Sequence, residues 1–184
     1  MIILYLFILL ICVVFYVGFV LFLLAQFIAV FTTDAPFVPV PRGVEDKIVE
    51  SLKLDKDSML YDLGCGDGRI LFKAVKKYPE IRAVGMEIAL FPYLLAKFKT
   101  RKYKNIEIKR ENIFQTDLRP ATHIFLYLYP KVLTKLLPQI KNDCNLGTKI
   151  ISCDFIFENL KPSEIIELNN PQSQRGQKLF IYQI

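Results

Sequence analysis

The chain has 184 residues, with 24 Lys+Arg against 18 Asp+Glu and a formal net charge of +6. That length suits one globular domain plus an appendage, and no internal repeat or low-complexity tract argues for more. The four cysteines, Cys12, Cys65, Cys144 and Cys153, show neither metal-ligand spacing nor a disulfide framework, so no metal site is expected and the thiols are read as reduced.

Residues 1–31 carry no charged side chain, and Gln26 is their only strongly polar one. About 20 apolar residues cross a bilayer core, so this run is long enough even when tilted. A cleaved signal peptide would want a basic start, a shorter apolar core and a small-residue cleavage site, and none is evident. A buried core helix would not be apolar on every face. The stretch is therefore read as a single-pass membrane anchor. Nothing basic precedes it except the amino terminus, whereas Arg42, Lys47, Lys53 and Lys56 follow. The positive-inside rule then places the C-terminal domain in the cytoplasm. Residues 32–43, with Pro36, Pro39 and Pro41, read as a semi-rigid linker that keeps the domain close to the membrane surface. The domain is placed at 44–184, opening with a short amphipathic helix marked by Val44, Ile48, Val49 and Leu52.

Residues 59–61 form an apolar run that enters a loop with glycine at every second position, Gly64, Gly66 and Gly68. Ile70, Leu71, Ala74, Val75 and Tyr78 then share one helical face. The pattern is strand, tight loop, helix, and it places a ligand beside a helix N-terminus with its free N–H groups. A dinucleotide fold wants G-x-G-x-x-G and a P-loop wants G-x-x-x-x-G-K-[ST]. Here the spacing is G-x-G-x-G, preceded by Asp62 and Leu63 and containing Cys65 and a second acid, Asp67. Two carboxylates suit a cationic ligand better than a pyrophosphate.

Residues 82–87 read as a second strand ending in Glu87. That acid lies roughly 20 residues beyond the first glycine, where α/β cofactor folds place the carboxylate that binds ribose hydroxyls. Residues 89–102 are helical, with Leu90, Leu94 and Phe98 on one face and a basic tail of Lys97, Lys99, Arg101, Lys102 and Lys104. The tail reads as a solvated face or as an attraction for anionic headgroups. No nucleic-acid recognition motif accompanies it, and no nucleic acid is expected. Residues 106–110 alternate as a third strand. Residues 123–130 form an apolar run suited to a buried parallel strand, whose end, with Tyr127, Tyr129 and Pro130, faces the ligand crevice. The lone histidine, His123, lies at the far end of that strand and is read as structural. Leu133, Leu136, Leu137 and Ile140 mark a further helix, residues 149–155 a fifth strand, and residues 164–168 and 179–182 a closing pair around a polar turn.

Residues 62–68, Asp-Leu-Gly-Cys-Gly-Asp-Gly, resemble motif I of the class I, seven-stranded S-adenosylmethionine-dependent methyltransferases. The proline stem at residues 36–39, residues 62–70, residues 84–87, the strand ending at Pro130 and residues 150–153 together resemble a narrower group. These are the membrane-anchored mitochondrial lysine methyltransferases that modify the adenine nucleotide translocase and the c-ring protein of ATP synthase, with their prokaryotic relatives. The resemblance implies a Rossmann-like doubly wound α/β sheet of seven strands, the last antiparallel, and S-adenosyl-L-methionine as cofactor. It implies that Asp62 holds the methionine amino group and Glu87 the ribose. Gly64, Cys65, Gly66, Asp67 and Gly68 form the cradle, Asn112 and Ile113 meet the adenine, and Tyr127, Tyr129 and Pro130 border the acceptor. Asn112 stands where the family has Asp, Asp154 where a basic residue is usual, and the aromatic ending after that strand is missing. The implied partners are the bilayer and a lysine of a membrane protein. A lipid, quinone or other small acceptor, and a catalytically inert interaction module, stay open, and the oligomeric state is not readable.

Overall fold

An unbroken apolar run at one end, and alternating strand and helix patterns after it, give two kinds of structure in the computed structural model. It describes the backbone of residues 1–32 and 38–184 and the side chains of residues 1–25 and 38–184. The Gln26 side chain, Pro36 and Phe37 lie outside the described residues. The chain divides into two units, Met1–Pro36 and Phe37–Ile184. The first is helix α1 (Ile2–Thr32), whose described apolar side chains are exposed and which is long and apolar enough to be a candidate membrane span.

The second unit runs α2 (Glu45–Leu52), β1 (Met59–Leu63), α3 (Arg69–Lys77), β2 (Arg82–Met86), α4 (Leu90–Thr100), β3 (Ile106–Lys109), a short 3₁₀ turn, β4 (His123–Leu126), α5 (Pro130–Asp143), β5 (Lys149–Cys153), β6 (Glu164–Glu167) and β7 (Lys178–Gln183). The sheet has seven strands in the order β3-β2-β1-β4-β5-β7-β6. Strands β1 to β5 pair in parallel, and β7 runs antiparallel to both β5 and β6. This is the expected Rossmann-like sheet. The strand order reverses between β1 and β4, and in open α/β sheets the crevice beyond the strand ends at such a point takes the ligand.

Two strands stop short of their apolar runs. β4 ends at Leu126, because Pro130 opens α5 as its first helical residue and Tyr129 before it is extended, at φ −60° and ψ 153°. Tyr127 and Tyr129 therefore stand on the connection and not on the strand. β5 ends at Cys153, because Asp154 takes the left-handed region at φ 62° and turns the chain away from the ladder.

The core fills both faces of the sheet, with Leu60, Leu63, Leu71, Met86, Phe125 and Ile151 each at most 1 % exposed. At Gly85, in the middle of β2, a Cβ would come within 2.5 Å of Leu71 Cδ1 and 2.7 Å of Cys65 Sγ. The helix and the cofactor-side loop thus close over a strand position that has no room for a side chain. Gly85→Ala should lower stability by about 1–3 kcal/mol, as overpacking of a dense core does, and a shifted urea midpoint checks it.

Helix α4 carries its periodicity the other way round. Leu90, Leu94 and Phe98 do share a face, but they are exposed, together with Phe91, while Pro92, Ala96 and Thr100 form the buried face. The reason is local. Gly68 lets α4 approach so closely that a Cβ there would lie 3.2 Å from the Ala96 Cβ. Only small residues fit that contact, and the large ones are left outside.

Residues 38–43 also depart from a plain spacer. Val40 is 6 % exposed within the core cluster, and Arg69 Nη1 donates to its carbonyl at 2.8 Å.

Candidate active site

The site is built where β1 gives way to its glycine loop. The N–H groups of Gly64 and Cys65 both donate to the Met86 carbonyl, at 2.8 and 2.9 Å, which ties the loop to the end of β2. Gly64, Gly66 and Gly68 take φ of 81°, 57° and 73°. Three left-handed residues in alternation are what a Cβ would resist, so the spacing of glycines is a demand of the backbone itself.

Three carboxylates gather around this loop, and the structure treats them differently. Asp67 is neutralised: Arg69 donates to it through Nε and Nη2, at 2.9 and 3.0 Å, and Lys99 of α4 donates at 2.5 Å. Burial alone would raise its carboxyl, but the two cations outweigh burial and hold it below the ordinary Asp value. Glu87 uses both oxygens on the backbone, accepting the Gly66 N–H at 3.0 Å and the Ala89 N–H at 2.8 Å. Burial raises its carboxyl, and these two donors offset only part of that.

Asp62 is the exception. It is 3 % exposed, and no donor among the described residues hydrogen-bonds its carboxylate. Burial, and after it the charges of Glu87 and Asp67, push the Asp62 carboxyl well above its usual range. A buried acid with no partner costs stability unless something supplies the missing charge. A ligand cation would do so.

Asp62, Gly64, Cys65, Gly66, Asp67 and Tyr127 line one pocket, with Phe125, Arg69 and Ile70. Val38, Pro39 and Val40 complete its wall. In sequence this stem reads as linker, since prolines without periodicity carry no sign of packing. The Cys65 thiol is buried close to Gly85, and burial pushes it well up, so it is a neutral packing group.

Asn112 lies after β3 and caps the 3₁₀ turn, its Oδ1 accepting the Phe114 N–H at 3.1 Å. Ile113 opens that turn, and its carbonyl accepts from Gln139 at 3.3 Å. Asn112, Ile113, Tyr129 and Pro130 do not line the pocket around Asp62. Pro130 serves to start α5.

An aromatic ring does follow β5. Phe155 stacks on Tyr127 with centroids 6.1 Å apart and lies 5.5 Å from the Tyr129 ring. Its signal is in the sequence, but the left-handed Asp154 before it hides where the ring goes. Asp154 itself is fully engaged: its oxygens accept the N–H groups of Gly176 at 2.6 Å, Gln177 at 2.7 Å and Lys178 at 3.3 Å. Asp154→Ala should cost about 1–3 kcal/mol by leaving those donors unpaired, measurable as a lower denaturant midpoint. Burial, then the Asp154 charge, push the Tyr127 phenol upward, so it stays protonated.

A family model described as the ANTKMT methyltransferase domain matches residues 62–164, more than half of the chain. The chain belongs to the ANTKMT methyltransferase family. It is an S-adenosylmethionine-dependent methyltransferase. A protein-lysine N-methyltransferase of Saccharolobus islandicus is 29 % identical over 154 residues, which cover 82 % of this chain and 96 % of the relative. The Homo sapiens lysine N-methyltransferase of the ATP synthase c-ring protein is 26 % identical over 135 residues, 71 % of this chain but 56 % of the human protein. Among solved structures, an RNA methyltransferase of Salinibacter ruber bound to S-adenosyl-L-homocysteine superposes with a TM-score of 0.73 at 31 % identity, covering 80 % of this chain and 94 % of that one.

The site of this ANTKMT-family chain fits that cofactor. S-adenosylmethionine brings an ammonium and a sulfonium, and the buried, donor-less Asp62 is the group such a cation would satisfy.

Proposed function

We propose that this ANTKMT-family methyltransferase is anchored by residues 1–31, with the domain from about residue 44 on the cytoplasmic face, and N-methylates a lysine of a membrane protein. The observation that carries the site assignment is the unpartnered Asp62 carboxylate in one pocket with the glycine loop and Tyr127. The candidate span in α1 supports the anchor. The relatives named for lysine methylation, one of them acting on a component of ATP synthase, support the acceptor.

In this reading Asp62 binds the methionine ammonium, and Glu87 turns its remaining lone pairs to the ribose hydroxyls. Gly64, Cys65, Gly66, Asp67 and Gly68 form the cradle, and Asn112 and Ile113 border the adenine. The bound cofactor supplies an electrophilic methyl group on its sulfonium. Tyr127, Phe155 and Tyr129 wall the approach of the acceptor and exclude water, so the protein supplies alignment and a dry path. Pro130 fixes the end of that wall. The acceptor amine has to be neutral to attack, and desolvation beside these rings lowers its pKa. No pocket acid is available to take the proton. Asp67 is held by Arg69 and Lys99, Asp154 by three backbone donors, and the Tyr127 phenol keeps its own proton. The proton therefore leaves to solvent before the amine docks.

Incubating membranes that contain the chain with tritiated S-adenosylmethionine tests the acceptor. Label in a protein band, recovered as methyl-lysine after hydrolysis, is the expected result. Label that extracts into organic solvent assigns a lipid or quinone acceptor, and label in RNA assigns a nucleic acid; either would overturn the lysine reading.

A further inference from the structure

Helix α4 presents to solvent the side chains that an amphipathic helix normally buries. Leu90, Phe91, Leu94 and Phe98 are 50 %, 59 %, 53 % and 61 % exposed, and Ile88 just before the helix is exposed as well. At 3.6 residues per turn these positions fall on one stripe, opposite the buried Pro92, Ala96 and Thr100. A contiguous exposed apolar stripe of this kind marks a contact surface.

The charges around the stripe say which kind. Lys97 and Arg101 fall on the same side of the helix as Leu94, three and seven residues on, and Lys102 and Lys104 follow at its end. Arg101 lies 4.1 Å from the centre of the Phe98 ring, so the cation is laid over the apolar surface. Among the described residues no carboxylate pairs with Lys97, Arg101, Lys102 or Lys104. Lys99, by contrast, faces inward and is consumed by Asp67. An apolar stripe edged by unneutralised cations is the pattern of a helix that lies in the headgroup region of an anionic membrane.

We propose that the outer face of α4 is a second, reversible membrane contact that lies flat on an anionic bilayer surface. The proposal rests on the reading of α1 as an anchor, which would hold the domain where such a contact forms at high effective concentration. Its place in the fold ties it to the chemistry. Ile88 and the first turn of α4 follow directly from Glu87, whose carboxylate holds the Ala89 N–H, so the stripe begins at the sheet edge where the crevice opens. A membrane lying on α4 would bring that edge to the bilayer surface.

The chain contains no tryptophan, which makes one introduced indole a clean probe. The full chain carrying Phe98→Trp is reconstituted in vesicles of phosphatidylcholine and phosphatidylserine, with Leu146→Trp, at a fully exposed loop position, as the comparison. The expected result is blue-shifted emission from the indole at position 98 that brominated acyl chains quench strongly, with water-like, unquenched emission from position 146. Quenching should fall when Lys97→Glu and Arg101→Glu are added, and when phosphatidylserine is replaced by phosphatidylcholine. Water-like emission from position 98, in chain that still floats with the vesicles, overturns the proposal and leaves the anchor intact. Chain that does not float overturns the anchor reading itself. A blue shift that bromine does not quench assigns the face to a protein partner or a second copy, and also overturns the proposal. Leu94→Asp, on the exposed face and away from the pocket, should abolish the quenching at position 98 while cofactor affinity stays unchanged.

Discussion

Replacing Asp62 by Asn is expected to abolish S-adenosylmethionine binding while raising the melting temperature of the ligand-free protein. Both effects come from one buried carboxylate. Removing one partner of a buried ion pair costs about 3–5 kcal/mol, or about two to nearly four orders of magnitude in affinity. The stability effect has the opposite sign. The Asp62 carboxyl is raised well above its ordinary value of 3.8 by burial first and by Glu87 and Asp67 next. In the window above 3.8 the folded chain keeps a proton that the unfolded chain has lost. Unfolding then releases that proton, so stability falls as pH rises through the window. Asparagine cannot ionise and escapes that penalty. The same linkage predicts that cofactor binding releases a proton from Asp62, and that affinity weakens as pH drops below its raised value. Calorimetry in two buffers of different ionisation enthalpy reads the proton directly. An Asp62→Asn protein that binds with wild-type affinity would remove the ammonium role.

Glu87→Ala should lose on both counts, which separates it from Asp62. Its two oxygens hold the N–H groups of Gly66 and Ala89, so the loop and the start of α4 lose a shared acceptor. Two buried donors left unpaired cost about 1–3 kcal/mol each. Hydrogen bonds from a charged group to the ribose add about 1.5–3 kcal/mol to binding, so affinity should fall a further roughly ten- to 150-fold. Thermal melts with and without S-adenosylhomocysteine check both effects. A variant as stable and as tightly binding as the wild type would leave Glu87 without either role.

These two acids show how far the sequence can be read. Both stand at the end of an apolar strand, Asp62 before an alternating glycine loop and Glu87 after residues 82–86, and local pattern is enough to put them there. Asp67 looks equivalent in sequence because its neutraliser, Lys99, lies 32 residues away. Pairing across that distance leaves no local trace. Periodicity puts Leu90, Leu94 and Phe98 on one face of α4 but cannot say which way the face points. That direction is decided by the close approach of Gly68 to Ala96, a contact between two elements. The stem is harder still. Val38, Pro39 and Val40 have neither period nor caps, and proline spacing alone reads as a spacer. Phe155 is visible as a residue, but its meeting with Tyr127 depends on the left-handed turn at Asp154.

The guanidinium of Arg69 reaches both Asp67 in the glycine loop and the carbonyl of Val40 in the stem. Anyone trimming this enzyme to a water-soluble form would be tempted to cut at residue 44, where the first helix of the domain begins. That cut would delete Val38, Pro39 and Val40 from the pocket wall and strip Arg69 of one of its acceptors. A trimmed enzyme that begins at residue 38 keeps the wall, and it is the shorter form whose cofactor affinity should suffer.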